Sequence, residues 1–503
     1  MLNRLLDRIT MFRLTAYYLG GLLLAALAAG VLGWLPADGA GPLALVQTTS
    51  VLIAVALLAN WAFSKVFRTG GNWESTLITA LILALVLSPA STTEPLRLGF
   101  MGAAAFLAIA SKYLLVWGRR HVFNPVIVGV LLTGLLFQEY ASWWVGQTLL
   151  LPLVALGGLL VVIKTRRGFL VGFFLVVYSV LAVGNGLVQG LALPEALQNL
   201  VLLFGSTEKV FLAVVMLTEP ITSPRTKGRQ MVYAVIVAFF ALPQLSLFGF
   251  NFSPEWALAL GNVASWFMNP QTRHRVTLTR KTELAPGLWE FAFRTTGALN
   301  YRPGQSMEWT LPGASDQRGN RRVFSLSSAP GEAVVAFGVR IPARPSAFKA
   351  RLLELAPGDT MWASELGGDF VLPRKLQRPL VLIGGGVGVT PFRSMVQDML
   401  DRQERRPLTL LLSYRNKSDQ LYADVFGEAA STLGAQTFTT ITSEQGRLGA
   451  SQIVAQVDQP RQAVYYLSGT SGFVAHLRRE LARLGVPRWR IRSDLFSGYS
   501  APS

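Results

Sequence analysis

Ten long apolar segments fill the first 270 residues of the chain and constrain its fold more than any other feature. A helix needs about twenty apolar residues to cross about 30 Å of hydrocarbon. With 51% hydrophobic and only 15% charged residues, the 503-residue chain lies outside the soluble globular range. We therefore predict a membrane α-helical bundle of about ten transmembrane helices over residues 1–270. The segments, of which the fifth and tenth are short, begin near Leu14, Leu45, Ser75, Leu98, Phe123, Val145, Gly168, Leu197, Met231 and Glu255.

The basic residues between these segments predict the orientation. Alternate loops carry the Lys and Arg residues, and the opposite loops carry essentially only Arg97. Cytoplasmic loops of membrane proteins have such an excess, which places both termini in the cytoplasm. We expect a multi-pass protein of the cell (inner) membrane whose partner is the lipid bilayer. The net charge of +18 then reflects membrane topology, and no nucleic acid is expected to bind. The basic loops contain Lys65 and Arg68; Lys112, Arg119 and Arg120; Lys164, Arg166 and Arg167; and Arg225, Lys227 and Arg229.

Rare residue types exclude several cofactors. The chain has no cysteine, which excludes disulfides, a catalytic thiol and a Cys-ligated iron–sulfur cluster. Of the three histidines, only His121 lies in the apolar half, so the paired axial ligands of a multi-haem membrane reductase are missing. We predict no metal site.

The composition changes after Asn269 and Pro270, where charged residues become frequent. Short alternating runs at 275–280 and 288–295 predict strands. From Pro379 onward, apolar strand-like runs alternate with helical stretches at 391–402 and 472–484, which is typical of a parallel α/β fold. We predict a β-barrel FAD domain at residues 271–375 and an α/β NAD(P)-binding domain at 376–503.

A glycine-rich turn, Gly384 to Pro391 (GGGVGVTP), follows one of the strand-like runs and precedes an amphipathic helix. Glycines at such a turn let backbone amides approach a pyrophosphate at the helix N-terminus. Alone the motif is weak, because glycines also serve tight strand-to-helix turns.

A second motif, Arg322-Val323-Phe324-Ser325, stands some sixty residues upstream, after the strand entry Tyr301 to Gln305 (YRPGQ). Together with 465–469 (YYLSG) and 494–499 (DLFSGY), the two motifs resemble the ferredoxin-NADP reductase family over Val276 to Tyr499. The resemblance implies that the cofactors are FAD and either NADH or NADPH.

By this resemblance, Arg322 would neutralise the FAD pyrophosphate, Phe324 would stack on the isoalloxazine, and Ser325 would hydrogen-bond near the flavin N5. Val339 would also contact FAD. Ser346 would offer its hydroxyl and backbone amide to the pyrophosphate, or it is an ordinary helix cap.

On the nicotinamide side, the resemblance implies that Gly386, Gly388, Thr390 and Pro391 receive the dinucleotide, and that Gly469 lies beside it. Ser468 stands where the family commonly has a cysteine facing the nicotinamide. Asp494 stands where a glutamate near the flavin is common, and Phe496 or Tyr499 would shield the ring. Two further residues, Arg415 and Lys417, lie where a 2′-phosphate would be or are solvated loop charges, so NADH and NADPH are not distinguished.

In the apolar half, residues 118–125 (GRRHVFNP) and 216–224 (MLTEPITSP) interrupt helices with polar residues and prolines. With 79–89 (TALILALVLSP), they resemble the flavin-carrying, ten-span membrane proteins of the sodium-translocating NADH:quinone reductase and Rnf complexes, over Leu45 to Asn269. That family holds its flavin partly through a covalent threonine link, but no Ser-Gly-Ala-Thr type motif occurs in residues 1–270. A covalent FMN is therefore not expected.

A noncovalent FMN or riboflavin, or a quinone, would take its place at the helix breaks, held by Asn124, Thr218, Thr222 and Arg225. The alternative is a proline-kinked bundle whose polar groups are satisfied internally. Glu208 and Lys209 either serve a function within the membrane or mark the end of a half-helix.

These features together predict a membrane-bound flavin oxidoreductase. Its cytoplasmic FAD module would take a hydride from NAD(P)H and pass electrons into and across the membrane to an extracytoplasmic acceptor, such as a flavinylated protein. Two alternatives remain, namely an NAD(P)H:quinone reductase and a permease with a redox-sensing flavin domain.

Overall fold

The structure is a computed structural model that describes residues 6, 9–34, 41–67, 71–117, 120–146, 148–205, 208–268, 273–297, 299–313, 320–373 and 378–496. Two compact units divide the chain, Leu2–Gln271 and Thr272–Ser503.

The first unit is helical, and within the described residues a helix lies at each of the ten predicted positions. Helices α8 and α9 occupy one of these positions together. After α9 the chain continues as a π-helical turn, Leu212–Met216. The helices are α1 (Met11–Val31), α2 (Pro42–Val66), α3 (Trp73–Val86), α4 (Pro95–Leu114), α5 (Pro125–Phe137), α6 (Leu151–Thr165), α7 (Gly168–Val188), α8 (Leu193–Gly205), α9 (Glu208–Phe211), α10 (Lys227–Phe240) and α11 (Pro254–Met268).

Three helices among the described residues, α1, α2 and α7, are long and apolar enough to cross a membrane. A fourth span results if the bent pair Leu193–Gly205 and Glu208–Met216, which meet at 62°, counts as one. The region is therefore helical with three candidate spans, and the full set of ten stays a prediction.

Helix α3 forms the centre of this unit. Asn72 caps its start, because the side chain accepts a hydrogen bond from the Ser75 amide at 3.2 Å. Every residue from Thr79 to Val86 is buried, which explains why this stretch lacks an amphipathic pattern.

The second unit begins with a six-stranded antiparallel sheet. Its strands are β1 (His274–Ala285), β2 (Leu288–Thr295), β3 (Ser306–Thr310), β4 (Arg321–Ser325), β5 (Val335–Arg340) and β6 (Thr360–Gly367), in the order β4-β3-β6-β1-β2-β5. An isolated bridge between Leu326 and Phe337 links the end of β4 to the edge strand β5. Helix α12 (Ala347–Glu354) contributes Phe348 and Leu352 to the core beneath the sheet.

A parallel five-stranded sheet follows, formed by β7 (Leu380–Gly385), β8 (Leu408–Tyr414), β9 (Gln436–Ile441), β10 (Val464–Thr470) and β11 (Ile491–Phe496). The order is β9-β8-β7-β10-β11, so the chain reverses direction across the sheet at β7. The connecting helices are α13 (Thr390–Asp401), α14 (Ala423–Leu433), α15 (Thr442–Gln445), α16 (Ala450–Ala455) and α17 (Ser471–Arg483). The predicted α/β fold is confirmed, and so are the strands expected at 275–280 and 288–295.

Candidate active site

The glycine-rich turn lies at the point where the parallel sheet reverses. Strand β7 ends at Gly385, a short 3-10 turn spans Gly386–Val389, and α13 begins at Thr390. Ligands of open α/β sheets bind outside the carboxyl ends of the strands at such a reversal. Gly386 has a φ of +56° and open space where a side chain would be, so the backbone here is accessible to a phosphate.

Gly388 packs the turn against the end of β10. A Cβ there would lie 2.4 Å from the carbonyl oxygen of Ser468 and 2.7 Å from the Cα of Gly469. Only glycine permits this approach. Thr390 is buried and donates its hydroxyl to the Val387 carbonyl at 2.7 Å, which closes the turn from within. The structure thus brings together four predicted nicotinamide residues.

Ser468 supplies a sign that a ligand belongs here. Its side chain is fully buried, and within the described residues its Oγ has no hydrogen-bond partner. Buried hydroxyls are nearly always paired, because an unpaired one loses its hydration without compensation. The nicotinamide carboxamide would supply the missing partner at this end of the sheet.

The predicted flavin residues lie on β4 and at the start of α12. The Arg322 guanidinium lies 5.1 Å from the centroid of the Phe348 ring. Phe324 is half-buried and stacks on Phe337 with centroids 4.5 Å apart, so its ring is oriented by the core. Ser346 caps α12 by accepting a hydrogen bond from the Lys349 amide at 3.4 Å. Ser346 is therefore an ordinary helix cap in this structure. The remaining free amides in the first turn of α12 are still suited to bind an anion.

A hydrogen bond joins the two sheets directly. The Ser325 hydroxyl, at the end of β4, donates to Oδ2 of Asp494 in β11 at 2.8 Å. Ser325 is the predicted neighbour of the flavin N5 and Asp494 a predicted neighbour of the flavin, and the structure brings the two residues together. Since a carboxylate accepts hydrogen bonds and a hydroxyl both donates and accepts, the pair can hold a proton at Ser325 Oγ.

The other predicted residues lie away from the Ser325–Asp494 pair, or they fall wholly or partly outside the residues that the structure describes. The Val339 side chain packs in the core of the antiparallel sheet. Arg415 is exposed after β8, and Lys417 forms an ion pair with Glu444 at 3.6 Å. For Phe496 only the backbone is described, and Tyr499 lies outside the described residues.

FAD and NAD(P) fit the residues that are present. For FAD the chain offers a basic residue, an oriented aromatic ring and a capped helix start in Arg322, Phe324 and Ser346. For the dinucleotide it offers an open glycine turn and an unpaired buried hydroxyl in Gly386 and Ser468. When bound, FAD accepts two electrons as hydride and releases them singly.

Sequence reasoning missed the contact between the two sheets around Glu290. This carboxylate is 8% exposed on β2 and accepts hydrogen bonds from Ser327 at 2.8 Å and from Tyr422 at 3.0 Å. A charged residue at a buried position of an otherwise apolar strand was the available signal.

In the helical unit, the two polar interruptions meet. His121 Nε2 lies 3.6 Å from Glu219 Oε1, and Thr222 donates to Glu219 at 2.9 Å. The backbone amide of Asn124 donates to Asn262 at 2.8 Å, while its side chain caps α5. Thr218 donates to the Val214 carbonyl at 2.9 Å. Arg225 is half-buried just beyond, whereas Gly118 and Arg119 lie outside the described residues.

A further ion pair lies where α9 begins. Lys209 Nζ is 2.8 Å from Glu208 Oε1, and the Lys209 side chain is 6% exposed. The pair follows the bend between α8 and α9, which agrees with the half-helix interpretation of these two residues.

An antiparallel sheet that carries the flavin motif, followed by a parallel sheet that carries the dinucleotide turn, defines an FAD/NAD(P)-binding module of the ferredoxin-reductase type. A family profile described as the oxidoreductase NAD-binding domain matches residues 382–478.

Relatives of this module include flavohemoproteins and an NADH oxidoreductase. Flavohemoprotein A of Dictyostelium discoideum is 24% identical over 271 residues, which cover 48% of this chain and 68% of that protein. The flavohemoprotein of Pseudomonas putida is 30% identical over 214 residues, covering 40% and 53%. NADH oxidoreductase HCR of Escherichia coli is 23% identical over 216 residues, covering 43% and 66%. The chain spans about half the length of several flavohemoproteins that it matches. The C-terminal module is therefore that of an NAD(P)H-dependent FAD oxidoreductase.

Proposed function

We propose that this oxidoreductase passes electrons from cytoplasmic NAD(P)H, through FAD, into the helical unit and across the membrane to an extracytoplasmic acceptor such as a flavinylated protein. The observation that carries the proposal is the union, in one chain, of an FAD/NAD(P) module with a helical unit that has candidate spans. Within that helical unit, two polar helix interruptions converge at His121 and Glu219.

In the reductase module, residues of both sheets would orient the dinucleotide and the flavin for hydride transfer. The Gly386–Val389 turn and Ser468 would hold the nicotinamide end of the dinucleotide. Ser325 and Asp494 would hold a proton beside the flavin and exchange it with the ring as electrons leave. The antiparallel sheet would close as a β-barrel, a proposal supported by the bridge between Leu326 and Phe337.

For the helical unit we propose ten spans in the cell membrane, with both termini and the reductase module in the cytoplasm. The ten helical positions and the alternation of basic loops support this topology.

A noncovalent flavin or a quinone would serve as the redox centre near Asn124, Thr218, Thr222 and Arg225. The hydroxyls of Thr218 and Thr222 already donate within the protein, so toward a ligand they can only accept hydrogen bonds. The two threonines therefore suit the N–H and hydroxyl groups of a riboflavin-like molecule, whereas phosphate oxygens would have to be bound by Arg225.

Sealed liposomes containing the full chain test the proposal. NAD(P)H added outside reaches only molecules whose reductase module faces outward, and an impermeant one-electron acceptor is trapped inside. Reduction of the trapped acceptor is the expected result. If the external dinucleotide is oxidised by external ferricyanide while the trapped acceptor stays oxidised, the transfer across the membrane is wrong.

One observation favours a second candidate, reduction of a membrane quinone. A cavity of about 360 Å³ lies between α7 and α8, and its polar lining consists of uncharged amides, among them Asn185, Gln189, Asn199 and Gln244. Pockets of this size with a few polar groups suit small neutral ligands. Under this alternative, nanodiscs that contain quinone would support NAD(P)H oxidation with no acceptor beyond the membrane.

A further inference from the structure

Two strands of the flavin-binding sheet present a carboxylate and a glycine side by side at the boundary with the nucleotide-binding sheet. Glu290 of β2 pairs directly with Gly338 of β5 in the antiparallel register. The Glu290 carboxylate is 8% exposed, and its Oε1 accepts hydrogen bonds from Ser327 and Tyr422. The carboxylate also forms an ion pair with Arg280, whose guanidinium lies 3.8 Å from Oε2 of Glu290 and is itself largely exposed.

Two side chains of the nucleotide-binding domain pack directly against Gly338. A Cβ at this position would lie 2.8 Å from Oγ1 of Thr390 and 2.8 Å from the hydroxyl oxygen of Tyr422. Both oxygens therefore rest against the backbone of β5, where any side chain would displace them. Thr390 opens the helix that follows the dinucleotide turn, so this contact sets how closely the turn approaches the flavin-binding sheet.

The backbone of Tyr422 is strained in this position. Its φ of +55° lies in the left-handed region, which is unfavourable for a residue other than glycine. Burial and the neighbouring Glu290 raise the pKa of Tyr422 well above its usual value. The hydroxyl thus stays protonated and donates to the carboxylate at neutral pH.

Other hydrogen bonds secure the same boundary. Arg393 donates to the Ser327 carbonyl at 3.2 Å, and Ser394 donates to the Ser328 carbonyl at 2.6 Å. Both donors lie in the first turns of α13, and both acceptors follow the flavin motif that ends at Ser325. The helix that carries Thr390 is therefore fastened to the segment that continues from Ser325.

We propose that Glu290 and Tyr422 are positioning residues for hydride transfer. Their contacts are with protein groups, and they act by seating Thr390 on Gly338, which fixes the nicotinamide site relative to the flavin site. Because a misplacement of about 1 Å can slow a reaction by about a hundredfold, this contact controls the rate of flavin reduction.

The test compares two half-reactions of the full chain in detergent. Stopped-flow absorbance follows reduction of the bound flavin by saturating NAD(P)H without oxygen. A second mixing experiment follows reoxidation of dithionite-reduced enzyme by ferricyanide, which needs no nicotinamide. We expect Tyr422→Phe, Glu290→Leu and Gly338→Ala to slow the first step by about tenfold or more and to leave the second unchanged. The dissociation constant for NAD(P)H should change much less than the rate.

Two controls separate positioning from general damage. Glu290→Gln keeps an oxygen that accepts both hydrogen bonds and should restore most of the rate lost in Glu290→Leu. Tyr465→Phe removes the hydroxyl of a buried tyrosine that donates at 2.9 Å to the Pro460 carbonyl, within the nucleotide-binding domain, and should reduce flavin at the normal rate. If Glu290→Leu fails to fold, Tyr422→Phe carries the test, since it removes a single oxygen.

Two results would overturn the proposal. One is an unchanged rate of flavin reduction in Tyr422→Phe. The other is an equal loss in both half-reactions or a loss of bound FAD, because either would indicate a purely structural role.

Discussion

The Ser325 hydroxyl donates a 2.8 Å hydrogen bond to Asp494, which lies 169 residues further along the chain and in the other sheet of the reductase module. The bond brings a proton and a carboxylate to the end of the flavin motif. Because a hydroxyl that donates to a carboxylate keeps its lone pairs directed elsewhere, Ser325 can accept a hydrogen bond from a neighbouring group at the same time.

We predict that Asp494→Ala slows reduction of the flavin by NAD(P)H by about a hundredfold, the lower end of the range for a positioned proton-transfer group. Asp494→Asn, whose amide oxygen still accepts from Ser325, should have a smaller effect. Stopped-flow measurement of flavin absorbance checks both variants. Asp424→Ala, which removes an exposed carboxylate from α14, is the matched control. Equal rates in Asp494→Ala and the control would show that the hydrogen bond has no part in the reaction.

A substitution in the dinucleotide turn tests its close packing. Since a Cβ at Gly388 would lie 2.4 Å from the Ser468 carbonyl oxygen, Gly388→Ala must push the turn away from β10. We expect the KM for NAD(P)H to rise by at least about tenfold in steady-state assays with ferricyanide. Gly427→Ala in α14, where the Cβ meets open space, should leave KM unchanged and stabilise the fold by up to about 1 kcal/mol. A normal KM in Gly388→Ala would mean that the nucleotide binds elsewhere.

The unpaired hydroxyl of Ser468 leads to a prediction with opposite signs in the free and bound states. An unsatisfied buried polar group costs about 1–3 kcal/mol, so Ser468→Ala should unfold at the same or a higher temperature without nucleotide. With NAD(P)+ added, the variant should gain less thermal stability than the wild type, because the ligand loses a hydrogen bond. Ser394→Ala is the control, since its hydroxyl is paired at 2.6 Å and its loss should destabilise the free protein. An unchanged ligand-induced shift in Ser468→Ala would remove this residue from the nicotinamide site.

The dinucleotide turn could be predicted from sequence because its signal is local. Strand β7, the turn and α13 are consecutive, and each has its own periodicity or composition. The contact of Glu290 with Tyr422 could not be predicted, because 132 residues separate them and only the packing of two sheets brings them together. Similarly, sequence could place Thr218 and Thr222 at a helix break but could not show that their hydroxyls already donate internally. The apolar composition of the sequence predicted where the helices lie. The polar residues and prolines between the apolar segments determine where each helix ends.

A pH effect follows from His274 at the start of β1. Burial lowers the pKa of this histidine. The unfolded state therefore binds a proton near its usual pKa of about 6.5, while the folded state resists it until lower pH. Stability should rise with pH through this window and fall as the solution is acidified below it. Thermal unfolding of His274→Gln should show a flatter pH dependence than the wild type, and His476→Gln, at an exposed position, should not. If wild type and His274→Gln show the same dependence of thermal stability on pH, His274 is not the source of the effect.

The meeting of His121 and Glu219 gives a prediction for the helical unit. An ionisable group at a helix break within an apolar bundle is expensive to bury and is usually retained for function. Thr222 and His121 both face the Glu219 carboxylate, at 2.9 Å and 3.6 Å. We expect Glu219→Gln to lose most electron delivery to an acceptor trapped inside liposomes. Its oxidation of NAD(P)H by external ferricyanide should stay normal, because the reductase module folds its own core.

Glu195→Gln is the matched control, since Glu195 is an exposed carboxylate that accepts a hydrogen bond from the Ala192 amide at 3.1 Å. This variant should deliver electrons to the trapped acceptor at the wild-type rate. Extraction of cofactors from the purified Glu219→Gln protein then separates two causes, because loss of a second flavin or quinone places the redox centre at this break. Normal delivery in Glu219→Gln would instead mean that the electrons take a route that avoids the contact between the two interruptions.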